Sequence, residues 1–232
     1  MSAGTIFLIP GGHPPDMKRM IQDFRTTLEF CGKPNPKVAY IGTANKDNKI
    51  FFQLMKRLIV KAGAEKVTLV SIAGKRSDIG AAKQILSEAD CIFLSGGEVE
   101  DGIVLLKKAG LDVFLTELYN SGKLFFGVSA GCIMMGRNWV HWEVENDDST
   151  ANLFDCLNFV PMTFDTHCEN EDWKELKCAL RLMGTNAQGY GLSTGGFYSA
   201  DRDGYLVSFR NAPAVFRNQN GNIKTEVRNG QN

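Results

Sequence analysis

A serine at the end of a short apolar run is the residue best suited to chemistry in this chain. Residues 123–128 lead directly into Gly127-Val128-Ser129-Ala130-Gly131, a G-x-S-x-G pattern. In a nucleophile elbow, the serine occupies a sharp strand-to-helix turn, and its neighbours must be small because the backbone passes close to other segments. The amide of Ala130 would then be able to bind an oxyanion. The pattern predicts Ser129 as a nucleophile, although a tight turn in any α/β fold would need the same small residues.

A serine nucleophile needs a general base, and the chain has only three histidines. His167 follows an apolar run and precedes a polar helix, so we expect it in an exposed loop at the end of a strand. His13 lies in a loop rich in Gly and Pro that could reach the same cleft and contact the substrate. His141 lies between two tryptophans on a predicted strand. We therefore predict His167 as the base.

The third member of such a site is a carboxylate that orients the imidazole. Glu143 and Glu145 lie on one face of a predicted strand, because side chains alternate along a strand. We prefer Glu145, with Glu143 close behind, whereas Asp165 could instead serve its local turn. The other carboxylates considered between Ser129 and His167 are Asp147, Asp148 and Asp155.

The elements that must position these residues follow a repeating strand-then-helix order. The predicted strands are residues 5–10, 37–41, 66–72, 90–94 and 123–128, and the predicted helices are residues 16–31, 49–62, 79–89, 99–109 and 112–121. Continuous apolar strands are typical of a parallel sheet covered by helices on both faces. The sequence therefore predicts an α/β fold with a doubly wound, mostly parallel sheet. In such sheets ligands bind at the carboxyl ends of strands, so the loops at Gly11, Gly96 and Ser129 should converge.

The C-terminal part has a different pattern. Residues 139–145 alternate like a strand, residues 159–164 are apolar, and residues 171–183 suit a helix. Short runs at 189–192, 205–209, 214–217 and 223–227, separated by turn signals, predict short antiparallel strands at one sheet edge. We expect the segment 146–157 to restrict the mouth of the site. Residues 1–232 are expected to form a single domain.

Composition excludes several classes of protein. The chain has 44% hydrophobic and 22% charged residues, with 26 basic and 26 acidic side chains, so no net charge favours nucleic acid or a membrane surface. No apolar stretch approaches the about 18 residues of a membrane span. The six cysteines form no C-x-x-C pair, which is typical of reduced thiols in the cytoplasm. We expect a cytoplasmic protein without a cofactor, a metal ion or disulfides. A homodimer is also compatible with the sequence, because Trp139, Trp142 and the apolar residues around Val160 could form its interface.

The motifs together resemble peptidase family S51, which includes dipeptidase E and cyanophycinase. Members carry a Gly-Gly turn after the fourth strand, a G-x-S-A-G elbow and a downstream D-x-H motif. This chain has Ser95-Gly96-Gly97-Glu98, Gly127-Val128-Ser129-Ala130-Gly131 and Asp165-Thr166-His167 in that order. The resemblance spans roughly residues 5–200. It implies a flavodoxin-like fold related to class I glutamine amidotransferases.

The resemblance also implies roles for individual residues. Ser129 would be the nucleophile, His167 the base, and the amides of Gly97 and Ala130 the oxyanion hole, with the acid in the segment that holds Glu143 and Glu145. Two residues depart from the family pattern: Glu98 replaces an amide side chain next to Gly96 and Gly97, and Cys132 replaces a small residue after the elbow. A carboxylate at position 98 favours a substrate amine or cation over an acidic substrate.

Three functions fit these residues. The first is a serine peptidase that hydrolyses small peptides, with a dipeptidase-like preference, through an acyl-enzyme. The second is a ligand-binding protein that keeps the fold and the serine turn without catalysis. The third is an amidase or esterase that uses the same triad. A short distance between the Ser129 hydroxyl and the His167 ring would favour an enzyme over a binding protein.

Overall fold

The computed structural model describes residues 4–12, 15–74, 77–144 and 146–226. Its N-terminal part follows the predicted strand-then-helix order. The strands are β1 (Thr5–Ile9), β2 (Lys37–Ile41), β3 (Lys66–Val70), β4 (Cys91–Leu94) and β5 (Leu124–Val128). The helices are α1 (Met17–Glu29), α2 (Lys49–Ala62), α3 (Ile79–Glu88), α4 (Val99–Lys108), α5 (Leu111–Asn120) and the short α6 (Ala130–Met135).

The C-terminal part is dominated by strands. It contains β6 (Asn138–Trp142), β7 (Ala151–Asp155), β8 (Thr163–Thr166), α7 (Lys174–Met183), β9 (Gln188–Leu192), β10 (Phe197–Asp201), β11 (Leu206–Arg210), β12 (Ala214–Gln219) and β13 (Asn222–Glu226). Short 3-10 turns lie at Thr43–Asn45, Asp148–Thr150 and Glu169–Glu171. Strand β7 was not predicted from the sequence, nor was β10.

The central sheet has seven strands in the order β11-β10-β1-β5-β4-β2-β3. Strands β1 to β5 run parallel to one another. Strand β10 pairs antiparallel with β1, and β11 pairs antiparallel with β10 at the edge of the sheet. The mostly parallel sheet flanked by helices confirms the predicted fold class. A second sheet has the order β13-β12-β9-β8, and β6 pairs with β7 as a separate two-stranded sheet. The expected antiparallel strands at the C-terminus are therefore divided between two sheets, and β8 and β9 are parallel.

Two apolar layers cover the central sheet. Phe7 and Ile9 of β1 pack with α1 and α2, whereas Ile6 and Leu8 of the same strand pack on the opposite face with α3 to α6. Successive side chains of a strand point to opposite faces, so a strand covered on both sides needs apolar residues at every position. This is the physical reason why the sequence shows continuous apolar runs.

The expectation that Val160 contributes to a dimer surface is wrong. Val160 has no exposed surface and belongs to the core beside α6, so it cannot contribute to a dimer interface.

Within the described ranges, no helix has the length and apolar character needed to cross a membrane. The predicted single domain stays a prediction.

Candidate active site

Ser129 lies between the end of β5 and the start of α6, with a backbone φ of 52° and ψ of −121°. Such a conformation is strained for a residue with a side chain and is found at nucleophile elbows. The Ser129 amide donates to the carbonyl of Ile9 at 3.1 Å, so the end of β1 holds the turn. A Cβ at Gly131 would collide with the backbone of Leu94, which explains why this position must be glycine. The turn therefore presents the serine hydroxyl at the carboxyl edge of the sheet.

His167 follows β8, and its ring reaches the elbow. The Ser129 Oγ and the His167 Nε2 are 2.7 Å apart, which is hydrogen-bond distance. The His167 amide donates to the carbonyl of Leu192 at 3.0 Å, so β9 fixes the loop that carries the imidazole. The geometry is that of a hydroxyl paired with a general base. This is the arrangement that the sequence predicted for an enzyme.

The Gly96-Gly97 turn after β4 lies against Ser129. Asn45 holds it, donating from Nδ2 to the Ser95 hydroxyl at 2.9 Å and to the Gly96 carbonyl at 3.0 Å. Within the part of the chain that the structure describes, neither the Gly97 amide nor the Ala130 amide donates a hydrogen bond. The Ser129 and Glu98 amides, in contrast, donate to Ile9 and Ala44. Gly97 and Ala130 therefore retain the donors that an oxyanion hole needs.

Of the two glutamates predicted as the acid, the structure describes only Glu143. Glu143 lies exposed beyond the end of β6 and makes no hydrogen bond to His167, so the structure does not bring it to the imidazole. Strand β6 ends at Trp142, so Glu143 lies beyond the strand that was predicted to carry it. Glu145 lies outside the described residues, and its predicted role stays a prediction.

Glu169, which was not among the predicted acids, follows His167 by two positions in the chain. Its Oε1 accepts a hydrogen bond from the Thr194 amide at 3.0 Å. Burial acts to raise the pKa of Glu169, but the hydrogen bonds from Thr194 and from its own amide outweigh it, with a smaller electrostatic contribution from His167, so the pKa is lowered. An ionised carboxylate next to the imidazole can stabilise an imidazolium. The predicted acids all precede His167 in the chain, whereas Glu169 follows it.

Asp165 has a different environment from that of a triad acid. Its side chain is 1% exposed, one carboxylate oxygen accepts the Thr166 amide at 2.7 Å, and the other has no hydrogen-bond partner. Burial, and then the charge of Glu175, raise the pKa of Asp165 to about 7. One ligand atom from each of Asp165, Cys168 and Glu175 lies within 4.8 Å of the other two.

Two pockets of similar size meet at Ser129 and His167. One, of about 360 Å³, is mainly apolar and is lined by Met17, Met20, Phe51, Leu54 and Met55 together with Gly96 and Gly97. The other, of about 370 Å³, is acidic and is lined by Glu98, Glu100, Asp165, Glu171 and Glu175. We refer to them as the apolar pocket and the acidic pocket.

The pockets also place the remaining predicted residues. The loops at Gly11, Gly96 and Ser129 converge at the apolar pocket, as the topology predicted. Trp139 and Trp142 line the acidic pocket, whereas none of residues 146–157, expected to restrict the mouth, lines either pocket. His13 lies outside the described residues, so its contact with substrate stays a prediction.

Comparisons with known proteins point to one family of peptidases. The profile of peptidase family S51 matches residues 6–197. An uncharacterized peptidase of Listeria monocytogenes is 28% identical over 171 residues, which cover 69% of this chain and 77% of that protein. An uncharacterized peptidase of Bacillus subtilis is 24% identical over 144 residues, which cover 62% of this chain and 60% of that protein.

Solved structures show the same fold. A crystal structure of a peptidase from an acI-B1 actinobacterium matches with a TM-score of 0.74 at 15% identity and covers 98% of this chain and 96% of that chain. The structure of a putative peptidase E protein from Listeria monocytogenes matches with a TM-score of 0.66 at 19% identity, covering 91% of this chain and 100% of the other. Since the family profile spans most of the chain, the protein is a hydrolase that belongs to peptidase family S51.

Proposed function

We propose that this protein is a serine peptidase that hydrolyses dipeptides and other small peptides. The observation that carries the proposal is the 2.7 Å contact between Ser129 Oγ and His167 Nε2 at a strained elbow. Two pockets of about 360 and 370 Å³ offer room for one short side chain on each side of the serine. The six cysteines are all free thiols, which supports a cytoplasmic location as a further part of this proposal.

The reaction would proceed in two steps. Ser129 Oγ attacks the peptide carbonyl while His167 Nε2 takes the hydroxyl proton, and the amides of Gly97 and Ala130 bind the oxyanion. His167 then gives the proton to the leaving amine as the C–N bond breaks, which leaves an acyl-serine ester. In the second step His167 activates a water molecule, which attacks the ester and releases the acid and the free serine. The ionised Glu169 would stabilise the imidazolium in both steps.

The test is hydrolysis of a dipeptide panel with basic, acidic and apolar N-terminal residues. The wild type would be compared with Ser129→Ala and with Ser87→Ala, a matched control because Ser87 is exposed on α3, outside both pockets. We expect turnover in the wild type and in Ser87→Ala, and a loss of at least about a thousandfold in Ser129→Ala, since the nucleophile is removed. Absence of turnover with every dipeptide would overturn the peptidase proposal. Ser129-dependent hydrolysis of esters or simple amides alone would indicate the amidase or esterase function instead.

A further inference from the structure

The apolar pocket is formed by one face of α1 and one face of α2. Met17 and Met20 line it from α1, three residues apart. Phe51, Leu54 and Met55 line it from α2, at spacings of three and four residues. Residues at these spacings are neighbours on one face of a helix. The two helices therefore present thioether, aromatic and aliphatic groups to the same pocket.

The pocket offers little to a charged side chain. Apart from His167, none of the described residues that line it can carry a charge. Asn45 and Asn48 also line it, but their side-chain oxygens are already bonded. The Asn45 oxygen accepts the Asn48 amide, and the Asn48 oxygen accepts two amides in the first turn of α2, all at 3.0 Å. A charged group would lose its water here without compensation, which is costly.

Part of the pocket wall is apolar surface that a ligand can cover. Met20 and Met55 are buried in the core under the two helices. Met17, Phe51 and Leu54 are half-buried against that core and keep part of their surface exposed. A ligand that removes this apolar surface from water gains binding free energy. Because methionine side chains adapt to the shape of their contacts, the wall suits flexible apolar groups.

The pocket also borders the reacting atoms. Ser129 and His167 line it, and so does Gly96, where a Cβ would lie 3.4 Å from the Ser129 Cβ. A substrate residue next to the scissile bond can therefore extend its side chain towards α1 and α2 while the carbonyl carbon meets the Ser129 hydroxyl. The volume of about 360 Å³ lies in the range of pockets that bind small ligands.

We propose that the apolar pocket is the specificity pocket of the enzyme and binds an apolar side chain, of the size of leucine or methionine, next to the scissile bond. Met17 and Leu54 determine this preference, because each helix contributes one of these half-buried residues to the wall. This inference rests on the proposed peptidase function for its link to turnover. The side chain belongs to the acyl residue or to the leaving residue, and its contacts have the same chemistry in both cases.

The experiment measures binding to Ser129→Ala, which lacks the nucleophile, by calorimetry with two matched pairs of dipeptides. Leucyl-alanine and asparaginyl-alanine differ in the acyl residue, and alanyl-leucine and alanyl-asparagine differ in the leaving residue. Leucine and asparagine side chains have nearly the same shape, so each pair compares polarity at constant size. We expect the leucine member of at least one pair to bind about tenfold more tightly, because the asparagine amide loses its water in an apolar pocket. The pair with the larger ratio identifies the residue that occupies the pocket.

Variants in the same background connect this preference to the residues. Leu54→Asn and Met17→Gln each replace an apolar group by an amide of similar size, and each should reduce the preference for leucine about threefold or more. Val60→Asn is the control, since Val60 is 42% exposed on α2 and lies outside the pocket, and it should leave the preference unchanged. Thermal melting of each variant shows that it is folded before its binding is compared.

The outcomes separate this inference from the proposed function. Equal binding within both pairs, or no binding of any of the four dipeptides, would overturn the specificity pocket even if Ser129-dependent hydrolysis of other peptides is found. An unchanged preference in folded Leu54→Asn and Met17→Gln would overturn the assignment to these residues. A clear preference for leucine without turnover of any dipeptide by the wild type would support the pocket and reject the peptidase function.

Discussion

The strain at Ser129 has a direct chemical use. A residue with a side chain at φ 52° and ψ −121° costs about 1–3 kcal/mol, and the surrounding structure must hold it there. The bonds from the Ser129 amide to Ile9 and from the Cys132 amide to the Ser129 carbonyl, at 3.1 and 2.7 Å, do so on both sides. The hydroxyl is thereby fixed towards His167 before substrate binds. Cys132 itself is fully buried behind the elbow, where burial raises its pKa, so it acts as a packing residue.

Neutralising Glu169 should slow the chemical step. Glu169→Gln keeps an oxygen that can accept the Thr194 amide but removes the charge that stabilises the His167 imidazolium. We expect kcat to fall at least about tenfold, equivalent to about 1.4 kcal/mol of transition-state stabilisation, with KM nearly unchanged. Steady-state kinetics on the best dipeptide would measure this. Asp172→Asn, a nearby exposed carboxylate paired with Lys177, is the control, and equal kcat values in the two variants would argue against the role of Glu169.

Asp165 should make stability depend on pH. Its pKa rises from 3.8 to about 7 on folding, so the folded state binds the extra proton between these values. Since the unfolded state then holds fewer protons, the free energy of unfolding falls as pH rises from about 4 to about 7 and levels off above. Glu175 and the Cys168 thiol are the titratable groups that face Asp165.

The asparagine in Asp165→Asn cannot ionise, so the substitution removes this part of the pH dependence of the free energy of unfolding. Relative to wild type, the variant should gain stability between pH 4 and pH 7, on the order of 4 kcal/mol at most. Urea unfolding at several pH values would measure it, with the exposed Asp203→Asn as a control for the substitution itself. Parallel pH profiles for wild type and Asp165→Asn would contradict the assignment.

At the scale of elements, the turn after β4 is as important as the elbow. Gly97 has a φ of 142°, and a Cβ there would collide with the backbone of Ala44. Gly97→Ala should therefore displace one oxyanion donor and lower kcat about a hundredfold or more. Gly63→Ala is a matched control, since Gly63 has a φ of 122° at the end of α2 with open space around it. If kcat falls equally in Gly97→Ala and Gly63→Ala, the loss comes from backbone strain in general, and the role of the Gly97 amide in the oxyanion hole is contradicted.

The N-terminal elements were predictable because their pattern is local. Strands β1, β2, β4 and β5 are buried on both faces, so each is a nearly continuous apolar run, whereas the edge strand β3 has an exposed Lys66 and a half-buried Thr68. The pairing of β10 with β1 joins residues far apart in the chain, and nothing within Phe197–Asp201 identifies its partner. Strand β7 has exposed positions among its five residues, so its apolar pattern is weak.

At the scale of the whole molecule, motif order predicted the pair of Ser129 and His167, which the fold brings to hydrogen-bond distance. The role predicted for Glu145 stays a prediction, because that residue lies outside the described residues. Ser129 follows β5 in the central sheet and His167 follows β8 in the second sheet, so the packing of the two sheets brings the pair together. Asn45 supports the Gly96-Gly97 turn from the loop after β2, and only the fold shows that contact. The acidic pocket likewise combines α4, β6 and the loop after β8, whose charges are scattered along the sequence.

The most direct test of the account is covalent labelling of the serine. Wild type, Ser129→Ala and Ser87→Ala would be treated with an alkyl fluorophosphonate and examined by intact-mass and peptide mass spectrometry, after thermal melting shows that each is folded. The account predicts one adduct on the peptide containing Ser129 in wild type and in Ser87→Ala, and none in Ser129→Ala, because only a serine paired with a base reacts readily. A folded wild type that forms no adduct, or an adduct that persists in Ser129→Ala, would contradict it.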